Sequence, residues 1–205
     1  MSQIVCGLFV LCVIAFGLSQ QPKTQAGPQL SFPSDYRQWV YLSSGLDMRY
    51  VGEPNLPCKD KEGKDSPCPK MFENVFVRRE AYDGFVKNKI WPVGTVFILE
   101  RRCAVQKASI DTAGSTQGKT FLIAASQKTE PGEHTGWNYY LFGTDAPLTC
   151  NGPDPNFSGQ HKDPVSNSDN NLKMCWQCHR DNALRDNTFI QFYPTLKPLV
   201  AASKK

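Results

Sequence analysis

Three residues have types and spacing that can do chemistry together: Cys175, Cys178 and His179, in "KMCWQCHRDN". In a Cys-x-x-Cys-His run the two thiols can form thioethers to the vinyl groups of a porphyrin. The adjoining imidazole can then ligate iron. The pattern predicts one covalently held haem c per chain, attached near the C-terminus, with His179 as the metal ligand. Two other chemistries use Cys-x-x-Cys. A thioredoxin-like dithiol needs the motif after an early strand, with most of a βαβ fold still to follow, and little chain follows Cys178. A structural zinc site needs a second ligand pair; Cys150 and His161 are at hand but form no paired motif. Haem satisfies every position.

The sixth iron position decides what such a haem does. No methionine follows Cys178, and Met174 adjoins the attachment site. Met48 and Met71 lie upstream, so the natural expectation is an iron with one open position. An open iron binds or transforms small molecules, whereas a closed one mainly passes electrons. Catalytic side chains are not identifiable from the residues. His134 and His161 sit in loop-like sequence and read as surface histidines.

The elements that must position this site are mostly strands. The chain has 205 residues, 40% of them hydrophobic and 20% charged, enough for one domain with a real core. A net charge of +4, evenly scattered, argues against nucleic acid as a partner. β-prone runs occur after Asp35, at residues 74–77, at residues 95–105, in "KTFLIAASQK" and in "GWNYYLFG". Ala81, Tyr82, Phe85 and Val86 recur at helical spacing, before Trp91-Pro92 and Gly94 break the helix. Helical character returns around the Cys-x-x-Cys-His and near "TFIQFYPTL". Residues 52–69 and 146–171 read as long loops. The sum is an α+β fold: an antiparallel sheet with a few helices.

Residues 4–18 form an apolar run too short for a comfortable membrane span, which reads as a secretory signal over residues 1–19. Export, most naturally to a bacterial periplasm, is the expectation. The run lacks a positive n-region, so an uncleaved tether is the alternative. Residues 20–34 read as a flexible mature N-terminus. Of eight cysteines, Cys6 and Cys12 leave with the signal and six remain. An even count in an exported chain suits disulfides. Cys58–Cys68 is the favoured pair because it closes a hydrophilic loop, and Cys103–Cys150 follows by elimination; reduced, buried cysteines are the alternative.

The segments "DYRQWVYLSSGL", "ENVFVRREAYDGFVKNKIWPVGTVFILE", "GWNYYLFG" and "CWQCHRDNALRDNTFIQFYPTL" resemble, in order, those of the cytochrome P-460 family. The resemblance places a haem c domain over residues 35–200. It implies a homodimer with a five-coordinate haem. Founding members oxidise hydroxylamine, and their relatives, the cytochromes c′-beta, bind nitric oxide or carbon monoxide; the expected partners of this chain are such a small-molecule ligand and a redox partner protein. It matches Cys175 and Cys178 to the thioether cysteines and His179 to the proximal ligand. In P-460 enzymes a lysine that precedes a glutamate, on the strand after Gly-Thr-Val, cross-links to the porphyrin. Here Gly94-Thr95-Val96 and Glu100 match, but the lysine's position holds Leu99.

Strand alternation puts Phe97, Leu99 and Arg101 on one face, with Ile98 and Glu100 on the other. In the family register Phe97 and Leu99 then form an apolar wall over the open iron position, as in the cytochromes c′-beta. Asn170 matches a residue over the same distal pocket. The leading expectation is an exported monohaem cytochrome that binds nitric oxide. A hydroxylamine oxidoreductase and an electron carrier with a six-coordinate haem are the alternatives.

Overall fold

The computed structural model describes residues 30–50, 58–59, 64–106, 112–130, 136–142 and 173–201, together with residues 62, 110 and 150. The apolar run at residues 4–18, His134, His161 and Asn170 lie outside the described residues.

β-branched and aromatic residues at a period of two build the frame. In chain order the strands are β1 Val40–Leu46, β2 Cys58–Lys59, β3 Asp65–Ser66, β4 Met71–Val77, β5 Val96–Val105, β6 Thr116–Lys128 and β7 Trp137–Phe142. Five of them form one antiparallel sheet in the order β1-β4-β5-β6-β7, and β2 pairs with β3 in a sheet of its own. That small hairpin lies inside the stretch expected to be loop. The fold is α+β and dominated by the sheet, as the patterning implies.

The register makes two different faces. On one, Phe97, Leu99 and Arg101 of β5 stand beside Val77, Val75 and Glu73 of β4, and on the other flank beside Ser126, Ala124 and Leu122 of β6. Tyr139 and Leu141 of β7 continue this face beyond β6. The opposite face is an ordinary core, with Phe76, Val96, Ile98, Ile123, Ala125, Tyr140 and Phe142 packed around Tyr36. Full burial of side chains such as Ile98 and Ile123 stabilises the fold by about 1.5–3 kcal/mol each.

Among the described residues, three helices cover the first face: α1 Arg79–Asn88, α2 Lys173–Asn182 and α3 Lys197–Ala201. α1 buries Ala81 and Phe85 and ends at Lys89 in the left-handed conformation, whose amide donates to the Phe85 carbonyl at 2.7 Å. Its interior Gly84 is needed for packing, because a Cβ there would lie 2.7 Å from Pro92 Cγ. Trp91 follows, stacked on Phe85 at 4.2 Å and edge-on to Phe97 at 4.7 Å.

Ser34 and Asp35, residue types that favour helix N-caps, precede only a 3-10 turn, Tyr36–Gln38. The Asp35 carboxylate makes no side-chain cap and accepts instead from Trp39 Nε1 at 3.2 Å. Helicity near "TFIQFYPTL" is likewise reduced to a 3-10 turn, Ile190–Phe192, with α3 beginning only after Pro194. Tyr193, preceding that proline, is extended, because the pyrrolidine ring excludes the helical conformation from its neighbour.

Cys103 of β5 is bonded to Cys150. Cys68 is also disulfide-bonded, while Cys175 and Cys178 are free thiols. The oxidised cysteines therefore lie apart from the pair available for other chemistry.

Candidate functional site

Cys175, Cys178 and His179 occupy positions i, i+3 and i+4 of α2, so the helical repeat projects them from one face. All three line one cavity of about 490 Å³, between the helices and the first face of the sheet. Val75, Phe97, Leu99, Leu122 and Ala124 form its sheet-side wall, and Phe189, Phe192 and Tyr193 its C-terminal side. The size falls in the range of small-molecule and cofactor pockets, roughly 300–1,000 Å³.

His179 is held on three sides. Its ring lies 4.9 Å from that of Tyr139 and 4.6 Å from that of Phe189. Its Nδ1 is 2.7 Å from the Asn187 carbonyl oxygen. A carbonyl only accepts, so Nδ1 carries the proton and Nε2 keeps its lone pair. Burial lowers the pKa of His179, against the opposing pull of the Asn187 carbonyl. The neutral imidazole that a metal needs is thereby the form present. Burial, with the neighbouring Cys178, raises the pKa of the Cys175 thiol.

The charged part of the lining is a cluster of Glu73 and Arg101 with Tyr50 beside them. Arg101 Nη2 is paired with Glu73 Oε1 at 2.8 Å, and Tyr50 donates to Glu73 Oε2 at 2.7 Å. Burial and the Glu73 bond push the Tyr50 hydroxyl pKa upward. Arg101 Nε is buried and, among the described residues, has no hydrogen-bond partner. Met48 also lines the cavity. It packs where Gly45 leaves room, since a Cβ on Gly45 would meet Met48 Cγ at 2.4 Å.

A model of the cytochrome P460 family matches residues 33–190. The chain belongs to the cytochrome P460 family. No curated protein matches it. Cytochromes P460 are c-type cytochromes, and haem c is the cofactor that membership implies. The residues present fit that group. The cavity is largely apolar, two free thiols line it, one imidazole offers a fixed lone pair, and a buried guanidinium N–H awaits an acceptor. Cys175, Cys178 and His179 are the residues that can hold it.

This member of the cytochrome P460 family brings Phe97, Leu99 and Arg101 to the cavity, as strand alternation requires, and turns Glu100 to the other face. Met71 pairs with Cys103 and does not line it. Arg180 pairs with the exposed Asp181, Arg185 donates to the Lys89 carbonyl, and neither reaches the cavity. Sequence reasoning missed Tyr50, Glu73, Tyr139 and Phe189. Tyr139 was within reach, because Trp137, Tyr139 and Leu141 alternate in "WNYYLF". Tyr50 and Glu73 carried no such signal.

Proposed function

We propose that this cytochrome is an exported monohaem protein that binds nitric oxide at an open iron position. Cys175 and Cys178 would carry the thioethers and His179 would ligate the iron. Addition of each S–H across a vinyl C=C is redox neutral and needs no oxidant. The haem would supply the iron that takes the ligand; the protein supplies the fixed imidazole and the largely apolar surroundings. The observation that carries the reading is Leu99, flanked by Val75, Phe97 and Ala124 in the cavity wall. Aliphatic carbon there offers no hydrogen bond to a charged species but admits a neutral diatomic gas. Leu99 also lacks the nitrogen with which the family's enzymes cross-link their haem. We further propose the homodimer that the resemblance implies.

Optical and spin-resonance spectra of the ferric and ferrous holoprotein test this. Five-coordinate iron that binds nitric oxide is expected. A low-spin six-coordinate ferrous spectrum, indifferent to nitric oxide, overturns it and points to Met48 as the closing ligand. Intact mass should show one haem per chain, lost in the Cys175→Ala/Cys178→Ala variant.

One observation favours hydroxylamine oxidation as a second reading. Glu73, hydrogen-bonded to Tyr50 and paired with Arg101, sets a carboxylate at the edge of an otherwise largely apolar cavity. Turnover of hydroxylamine with a chemical oxidant tests it, and absence of turnover retires it.

A further inference from the structure

We infer that Asp186 is a positioning residue for the iron-ligating imidazole: paired with Lys128, it holds the turn that brings the Asn187 carbonyl onto His179 Nδ1. The inference rests on the haem reading of the site.

The turn does not hold itself. Asp186 and Asn187 have φ of 49° and 51°, two successive non-glycine residues in the left-handed region. That conformation is unfavourable for L-residues, although Asp and Asn tolerate it best, so it persists only where its surroundings impose it. The Asp186 carboxylate accepts from the Trp91 amide at 3.0 Å and from Lys128 Nζ at 2.5 Å, and both charged side chains are more than four-fifths buried. A second set of bonds closes the turn. Trp91 Nε1 donates to Thr188 Oγ1 at 2.9 Å, and the Thr188 amide to the Arg185 carbonyl at 2.8 Å.

The partners are themselves rigid. Trp91 is stacked on Phe85 and meets Phe97 edge-on in the core. Lys128 ends β6, where its amide donates to Thr95 O at 2.8 Å and its carbonyl accepts from Gly94 at 2.9 Å. The sheet therefore fixes Asp186, Asp186 fixes the turn, and the turn fixes the partner of His179. A firm hydrogen bond from Nδ1–H makes an imidazole a more basic ligand, which favours ferric iron and strengthens the iron–nitrogen bond.

Two variants of the holoprotein separate positioning from simple charge. Asp186→Asn removes a negative charge and Lys128→Met a positive one, so Coulomb effects alone would move the haem midpoint potential in opposite directions. If Asp186 acts by holding the turn, both variants raise the potential. Both also lower the iron–histidine stretching frequency in the ferrous resonance Raman spectrum, because each loosens the same hydrogen bond. Opposite shifts in potential, or an unchanged stretch in both, overturn the inference. Should Asp186→Asn fail to accumulate, Lys128→Met alone decides through the sign of its shift. Wild-type protein without covalently bound haem, seen by mass, overturns the haem reading and this inference with it. Haem-loaded variants that both keep the wild-type stretch overturn only the latter.

Discussion

Leu99 and Ala124 stand directly opposite one another on β5 and β6, both facing the cavity. The pair makes the middle of the wall shallow as well as apolar. Leu99→Ala deepens it and Leu99→Phe fills it. Nitric oxide association with the holoprotein, followed by stopped flow, is expected to speed up in the first variant and slow in the second. Leu99 is only half-buried, so the alanine variant should lose about 2 kcal/mol in urea unfolding, the low end for a buried leucine.

Glu100 ties the N-terminal 3-10 turn to the sheet. It accepts from Tyr36 at 2.7 Å, from Arg37 Nη2 at 2.7 Å and from Asn74 at 3.2 Å. Burial alone would raise its pKa, but the bonds from Arg37 and Tyr36 outweigh that and lower it below the usual 4.5. A carboxylate depressed in the folded state stabilises the fold above its unfolded pKa, and that stability is lost as pH falls through the folded value. Wild-type stability should therefore decline from about pH 4.5 downward, and Glu100→Gln should flatten that limb. Glu100→Ala leaves the buried donors without an acceptor and should cost about 3 kcal/mol at neutral pH.

The Cys103–Cys150 bond closes a loop with a sequence separation of 47. Its removal as Cys103→Ala/Cys150→Ala should cost about 3–4 kcal/mol, by restoring chain entropy to the unfolded state. Thermal unfolding with and without reductant checks this. A reductant-insensitive midpoint in the wild type would sink it.

Glu73 distinguishes the two chemical readings. Glu73→Gln keeps the shape of the side chain but removes the carboxylate and turns one of its two acceptors, now engaged by Arg101 and Tyr50, into a donor. Under the gas-binding reading, nitric oxide affinity should change by less than about threefold, or under ~0.7 kcal/mol. A loss of tenfold or more would shift the chemistry to the polar side of the cavity.

Local rules made part of the site legible in the sequence. Cys175, Cys178 and His179 share a helix face because a helix repeats every three to four residues. Phe97, Leu99 and Arg101 share a strand face because a strand repeats every two. Both consequences follow from spacing along one element, so they could be read before any fold was known. The helical expectation at "TFIQFYPTL" was met only by a 3-10 turn because Pro194 breaks a run whose apolar spacing alone looked helical.

What only the tertiary structure decided are the meetings between elements. Met48 enters the cavity through the space above Gly45, and Tyr50 finds Glu73 and Arg101 from a different part of the chain. Above all, Asn187 reaches His179 through a left-handed turn held by Lys128 of β6 and Trp91 beyond α1. Such contacts depend on which strands neighbour each other and how the helices lie on them. Periodicity therefore told which residues face inward, while packing determined what the imidazole and the cavity meet there.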